Sequence, residues 1–431
     1  MPEPDRRAIL RAIYDAAVAA AHPKTWLADH LPPPPRGRVV LLAAGKAAGS
    51  MTAVAEAFYR ERHGLGPDRL TGLAVTRHGY GAPTALVPVV EAGHPVPDAE
   101  GVAATERVLA LAEAAGEDDL VLVLISGGGS ANWIAPAGAL TLAEKQAVTK
   151  ALLRSGASIG EINTVRKHLS RIKGGRLARL AAPARILTLA VSDVPRDDPS
   201  TIASGPTVPD PTTLAEARAV AARRGIALPP AAAALLDDPA NETPKPGDAV
   251  FARSEFRIVT KPADAIAAAA EAARAAGYEP QVLGADLEGE AREVAAEHAR
   301  LARAAKAAGR RVAILSGGEL TVTIAGQGRG GPNQEYALAL ALALAGETGI
   351  AALAGDTDGT DGGGGKASDP AGAVIDETTL ARAGMLGLDA AASLADNDST
   401  GFFEPLGDLL VPGPTLTNVN DCRVILVDGA R

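Results

Sequence analysis

The run Leu120–Ile125, LVLVLI, followed by Ser126, Gly127, Gly128, Gly129 and Ser130, limits the possible folds more than any other stretch. Six of the seven residues from Leu120 to Ser126 are Leu, Val or Ile, which suits a strand buried on both faces of a parallel sheet. The glycines that follow are poor structural material, because each loses more backbone entropy on folding than any other residue. They permit backbone N–H groups to turn toward a common point with no Cβ in the way, a concave anion site at a strand's carboxyl end. A plain flexible strand-to-helix turn is the competing reading of the triplet taken alone.

Strand and helix alternate on either side of this run. Strands are expected at 38–45 (RVVLLAAG), 70–76, 85–93 and 184–193, with helices opening at Gly45-Lys46 and over 98–116, 141–156 and 159–180. That order favours an α/β fold, a parallel sheet with helices on both faces. Asp193 opens a loop with five prolines, DVPRDDPSTIASGPTVPDPTT, of a length that is usually functional or disordered. The proline-rich, acidic stretch 230–248 marks a boundary, giving domains 1–240 and 250–431. The second half resumes with strands at 256–260, 311–319, 320–326, 350–356, 408–411 and 422–427, and helices at 262–277, 288–309 and from about Asn333.

A chain of 431 residues is too long for one ordinary core. Aromatic residues make up only 3%, so helices must pack closely on alanine. A net charge of −9 argues against a nucleic-acid partner. Cys422 is the only cysteine, which excludes an internal disulfide framework and fits a reducing compartment. No apolar run is long enough to span a membrane, and the first 21 residues resemble an amphipathic helix more than a signal peptide. A cytoplasmic location is expected.

Several polar clusters fall at strand ends. Gly45 and Lys46 at a helix start suit a phosphate or carboxylate, though the spacing is not that of a P-loop. The segment 160–180 carries Arg166, Lys167, Arg171, Lys173, Arg176 and Arg179 against the single acid Glu161, a local anion field in an acidic chain. Asn163, Arg166 and Lys167 are the members that fit a binding site; Arg176 and Arg179 fit a solvated face. Gly326, Gly328 and Gly331 satisfy GxGxxG between a strand and a helix, the case for a dinucleotide-binding oxidoreductase. Against it, Arg329 and Pro332 crowd the positions where backbone should approach a pyrophosphate. Asp356, Asp358, Asp361 and Asp369, set among glycines, are oxygen donors for a hard cation or ordinary turn residues.

Taken together, AAGKAAGSM, EAGHPVPD, LISGGGSA, EINTVRKHLSRIKGGRLA, VSDVPRDDPSTIASGPTVPDP, SGGE, GRGGPNQEYALALAL, AGDTDGTDG, LADNDS and TNVND resemble the class II glycerate 2-kinases. That family joins an N-terminal glycerate-kinase domain to a C-terminal MOFRL domain, and the match runs from about residue 8 to 428. Its members are often labelled hydroxypyruvate reductase, from association with tartrate degradation.

The resemblance implies a Rossmann-like parallel-sheet domain and a smaller α/β MOFRL domain with the active site between them. It implies ATP-dependent phosphorylation of D-glycerate at its 2-hydroxyl with Mg²⁺, and leaves a homodimer open. By motif, Lys46 and Arg329 match the lysine and arginine of that family's site, and Asp193 the aspartate of its SDVP loop. Gly45, Ser126–Ser130, Asn163, Arg166, Lys167, Asn333 and Glu335 are then expected to bind substrate or nucleotide, with Asp193, Asp356 and Asp361 as metal ligands. Trp133, Leu416 and Cys422 depart from the family pattern and are expected to alter substrate fit. An NAD(P)H-dependent hydroxypyruvate reductase and a non-catalytic sugar-acid or nucleotide sensor are the alternatives.

Overall fold

A computed structural model describes residues 5–362, 366 and 368–429. The chain forms two compact units, Trp26–Val259 on the one hand and Met1–Thr25 with Thr260–Arg431 on the other.

The unit Trp26–Val259 is built on six strands: β1 (Val39–Ala44), β2 (Leu70–Arg77), β3 (Val89–Ala92), β4 (Leu120–Ile125), β5 (Arg185–Val191) and β6 (Ser254–Thr260). They lie in the order β3-β2-β1-β4-β5-β6, and β3 through β5 pair in parallel. Every residue of β1 and β4 is buried, as their unbroken apolar runs require of strands covered on both faces. The chain moves outward through β2 and β3, then returns to lay β4 on the other side of β1. The order therefore reverses between β1 and β4, where Ala44 is level with Ile125, and such a reversal opens a crevice beyond the strands' carboxyl ends.

Some boundaries differ from the expected ones for physical reasons. The strand expected from residue 85 begins at Val89, because the amides of Ala85, Leu86 and Val87 donate to the buried Glu56 carboxylate at 2.6, 2.8 and 2.7 Å instead of to a ladder. The helix expected over 159–180 is two helices, Ile159–His168 and Arg176–Ala181, parted where Gly174 and Gly175 take φ of 59° and 79°. The acidic stretch 230–248 is part of the first unit. Within it Asn241 Nδ2 donates to His168 O at 2.7 Å and Thr243 Oγ1 to Asp210 Oδ2 at 3.1 Å.

The other unit holds β7 (Glu279–Glu290), β8 (Val312–Thr321), β9 (Ile350–Asp356), β10 (Gly372–Ile375), β11 (Leu409–Leu410) and β12 (Asp421–Val427). Their order is β11-β10-β9-β12-β8-β7. Within this sheet β7 and β8 pair in parallel, while β8–β12, β12–β9, β9–β10 and β10–β11 are antiparallel, so the sheet is mixed. The two strands expected over 311–326 are one, and residues 322–326 leave the sheet. β7 lies at the edge with half-exposed residues, which is why no apolar run announces it. Alanine does pack the helices: Ala291–Ala307 buries Ala291, Ala295, Ala299, Ala302 and Ala305.

The helix Arg6–Ala21 belongs to this second unit, not to the unit that follows it in sequence. It buries Leu10, Ile13, Tyr14, Ala17 and Ala21 and packs on the helix Pro262–Ala275 and on β9 and β12. The Tyr14 hydroxyl donates to Asp356 O at 2.6 Å, and Arg7 pairs with Asp376 and Asp408. Tyr14→Ala removes a buried aromatic, a change that costs about 3–5 kcal/mol. Hydrogen exchange on the full-length variant should show protection falling in β9 and β12 while β1 and β4 keep theirs.

Candidate functional site

At the sheet reversal the loops after β1 and β4 are locked together. Lys46 N donates to Gly127 O at 2.8 Å, and Ala47 N to Ser126 Oγ at 2.9 Å. Gly45 has φ of 113°, and a Cβ there would stand 2.4 Å from Ser126 O; only glycine fits. Gly128 has φ of 84°, and a Cβ on it would lie 3.0 Å from the His94 ring and 3.4 Å from Lys46 Cγ. His94, the Lys46 stem and the glycine loop therefore meet at one place. The amides of Gly127 and Gly128 have no hydrogen-bond acceptor among the described residues, as an anion-binding concavity requires.

The loop after β5 packs against the same place. Ser130 Oγ and Ser204 Oγ are 2.7 Å apart, and a Cβ on Gly129 would meet Ala203 at 3.0 Å. Gly174 N and Gly175 N donate to Ser204 O and Gly205 O at 3.0 and 2.7 Å. Asp193 follows β5 on the carboxyl edge that carries the glycine loop and is partly buried. The adjoining Ser192 Oγ is buried with no hydrogen-bond partner among the described residues, as are both side-chain amide atoms of Asn132.

Behind the loop lie the cations of 160–180. Lys173 is fully buried, and its ammonium donates to Ser130 O at 2.8 Å and Trp133 O at 3.0 Å. Lys145, also buried, donates to Leu169 O. Burial pushes the Lys173 pKa well below its ordinary value, with Arg166 and Lys145 adding repulsion. Burial likewise lowers Lys145 to about 7, helped by Arg166 and Arg176. Lys167 pairs with the buried Asp210 at 3.3 Å. His94 and Lys173 were not expected among the site residues. Their signals are the motifs EAGHPVPD and RIKGG, whose spacing alone does not separate them from ordinary turn and surface residues.

The remaining expected residues lie in the other unit. Arg329 is pinned through its backbone: its N–H donates to Asp398 Oδ1 at 3.0 Å and its carbonyl accepts from Thr400 N at 2.8 Å. Its side chain is 68% exposed and meets Glu404 at 3.1 Å. The amides of Ala325 and Gly326 donate to Asn397 Oδ1, those of Gln327 and Gly328 to Asp396. The GxGxxG stretch has thus spent the donors that a pyrophosphate would need. Its glycines serve packing: a Cβ on Gly326 or Gly328 would lie 2.2 or 2.3 Å from Asp396 or Asp398.

Asn333 and Glu335 open the helix Pro332–Leu344 and are buried. Asn333 Nδ2 bridges Asp421 Oδ1 at 2.7 Å and Asp361 Oδ1 at 3.2 Å. Glu335 is held by Arg292 at 2.7 Å and Asn397 at 3.0 Å. Asp361, expected as a metal ligand, accepts the amides of Asn333 and Gln334 at 2.9 Å each as well as both side-chain amides. It caps the helix start by accepting those amides, while burial raises its pKa to about 7. Asp356 Oδ1 accepts from Asp358 N at 2.9 Å and Asp358 Oδ1 from Thr360 N at 2.7 Å, the geometry of aspartate turns. No cluster of three or more metal-ligating carboxylate, imidazole or thiolate groups occurs among the described residues. Trp133 and Cys422, expected to alter substrate fit, are core residues, 1% and 0% exposed.

The fold so described is a doubly wound α/β unit with glycine-rich loops at its switch point, followed in the chain by a mixed-sheet α/β unit. A domain of unknown function, DUF4147, matches residues 9–237, and the MOFRL family matches residues 312–421. The chain belongs to the glycerate kinase family. It is 38% identical over 420 residues to the D-glycerate 2-kinase of Thermotoga maritima, covering 96% of this chain and 97% of that one. The crystal structure of glycerate kinase from that organism superposes with a TM-score of 0.83 at 37% identity, over 96% of this chain and 97% of the other. An Agrobacterium vitis protein named "Putative hydroxypyruvate reductase" is 51% identical over 428 residues, covering 98% of this chain and 94% of its own. No helix among the described residues is long and apolar enough to cross a membrane.

Lys145 supplies a test of the buried cations. Its folded pKa of about 7 lies below the ordinary value, so above pH 7 the unfolded chain holds a proton that the folded chain has released. Stability from this group therefore rises with pH between about 7 and the unfolded lysine value near 10.4. Thermal unfolding of wild type and Lys145→Met across pH 7 to 10 should show the difference moving toward wild type as pH rises. A difference independent of pH would mean that Lys145 stays charged in the folded chain.

Proposed function

We propose that this chain transfers the γ-phosphoryl group of ATP to the 2-hydroxyl of D-glycerate, giving 2-phospho-D-glycerate and ADP. The observation that carries this reading is the pair of unpartnered amides, Gly127 and Gly128, beside the Lys46 stem at the reversal of sheet order. Phosphoryl transfer asks a protein for positioning and charge stabilisation more than for covalent chemistry, and this loop offers both. Mg²⁺ would be held chiefly by phosphate oxygens and water, with a strand-end carboxylate such as Asp356 completing its shell. When bound, the ion would offset phosphate charge.

In this reading the glycine-loop amides and Lys46 hold anionic oxygens of the bound substrates. The 2-hydroxyl oxygen forms the new bond to phosphorus as the bond to the β,γ-bridging oxygen breaks, and ADP leaves with that electron pair. Asp193 accepts the hydroxyl proton. Arg329, its backbone fixed and its guanidinium exposed, supplies positive charge to the group in transfer; such an arginine is commonly worth about three orders of magnitude in rate or more. Reduction of hydroxypyruvate is the second reading, favoured by the name of the Agrobacterium vitis relative. It would need the 326–331 loop to bind a dinucleotide, and the loop's amides are already bonded to Asp396, Asn397 and Asp398.

Incubation with D-glycerate and Mg-ATP should yield ADP and 2-phosphoglycerate, and EDTA should abolish the reaction until Mg²⁺ or Mn²⁺ is restored. Oxidation of NAD(P)H by hydroxypyruvate, with no ADP from glycerate, would replace this reading by the second. Among variants, Lys46→Ala should raise KM and lower kcat, because a lysine at a helix start acts on charge already present. Arg329→Ala should mainly lower kcat, since its charge is matched to the transition state. Both should keep the wild-type melting temperature; an Arg329→Ala enzyme with nearly full kcat would remove that residue from the mechanism.

A further inference from the structure

The cations of residues 160–180 are not equivalent, and one of them stands apart. Lys167 has Asp210, Arg171 has Glu106, Arg176 has Asn241 and Arg179 has the carbonyl of Glu242. Arg166 has neither a hydrogen-bond acceptor nor an ion-pair partner among the described residues. Its neighbours make this isolation costly. It lies close enough to the buried ammoniums of Lys145 and Lys173 to repel both, and those two have only carbonyl acceptors. A guanidinium and two lysine side chains thus share a largely buried region with no carboxylate among their hydrogen-bond acceptors in the described residues, which disfavours charge in the empty protein and favours a bound anion.

A second group narrows the anion. Asn163 lies one turn before Arg166 on the helix Ile159–His168, and residues three apart share a face with Cβ atoms about 5–6 Å apart. Asn163 is 5% exposed, and its Oδ1 is buried with no donor among the described residues. A buried acceptor without a donor costs free energy until a ligand supplies one. A fully ionised phosphate cannot supply it. A hydroxy acid can, since it carries a carboxylate for the guanidinium and a hydroxyl for the amide oxygen.

We propose that Arg166 and Asn163 form the seat of the organic acid: Arg166 takes the carboxylate of a three-carbon hydroxy acid, and Asn163 Oδ1 accepts a hydroxyl of the same molecule. Lys173 links this seat to the anion loop, since its ammonium holds the Ser130 carbonyl. The seat deepens the kinase reading by fixing which end of the acceptor is recognised on this helix. It does not depend on the reaction class, because glycerate and hydroxypyruvate both carry the two groups.

The test is calorimetric titration of the full chain with D-glycerate, hydroxypyruvate, propionate, glycerol and Mg-ADP, each acid also with Mg-ADP present. Arg166→Gln should weaken D-glycerate and hydroxypyruvate about 10- to 100-fold, the worth of a hydrogen bond to a charged group, and leave Mg-ADP within about twofold. Arg166→Lys should recover part of the loss, because it restores charge without the planar fork. Asn163→Ala should weaken D-glycerate but not propionate, which has no hydroxyl. The melting temperature of Arg166→Gln should equal or exceed that of wild type, since the substitution removes an uncompensated charge. The proposal is overturned if Arg166→Gln weakens Mg-ADP in place of the acids, if it changes no affinity, or if wild type binds neither acid. Binding that follows this pattern without ADP formation would overturn the kinase reading and keep the seat.

Discussion

Gly45 and the carbonyl of Ser126 occupy space that admits no side chain between them, and the rest of the first unit is arranged to keep that contact. β1 and β4 are fully buried, in register, and end level with each other. Their loops then cross, with Lys46 N bonded to Gly127 O and Ala47 N to Ser126 Oγ. Beside those bonds, the amides of Gly127 and Gly128 have no acceptor among the described residues. A buried donor without a partner is costly unless water or a ligand serves it. The scaffold is rigid behind a small set of donors, the preorganisation that favours electrostatic stabilisation over reorganisation.

The second unit solves a different problem, that of burying many charges. Arg423 is 1% exposed and bonds Asp421 at 2.6 Å and Ser316 at 3.1 Å. Asp421 in turn accepts from Asn333, and Asn333 donates also to Asp361. This chain of bonds ties β12 and β8 to the start of the helix Pro332–Leu344. From there the 326–331 loop is fixed by Asp396, Asn397 and Asp398. Removing one partner of a buried pair strands the other charge, which costs about 3–5 kcal/mol, so no single member of the network can be lost cheaply. Arg329 gains from it a fixed backbone and an exposed side chain.

Sequence alone reveals the first of these arrangements better than the second. The strand and glycine pattern at Leu120–Ser130 is local, and a buried parallel strand has few other ways to be written. β7 is not legible, because an edge strand with half-exposed residues carries neither alternation nor an apolar run. The membership of Arg6–Ala21 in the distant unit is a long-range fact; its amphipathic period shows a buried face but not what buries it. Asp361 reads as a metal ligand because acids among glycines suit cations and turns alike, and only the positions of the Asn333 and Gln334 amides reveal the cap. The GxGxxG stretch misleads for a related reason: its spacing is right, but the donors it should present are taken by residues some seventy positions later.

The two glycine loops can be compared in one measurement, the amide spectrum of glycine-labelled full-length protein before and after addition of D-glycerate with a non-hydrolysable ATP analogue and Mg²⁺. The resonances of Gly127 and Gly128 should move strongly and their exchange with solvent should slow, because acceptors arrive where the protein supplies none. Those of Gly326 and Gly328, already bonded to Asn397 and Asp396, should keep their slow exchange. Unmoved resonances at Gly127 and Gly128, together with large changes at Gly326 and Gly328, would contradict an anion site at the β1–β4 reversal.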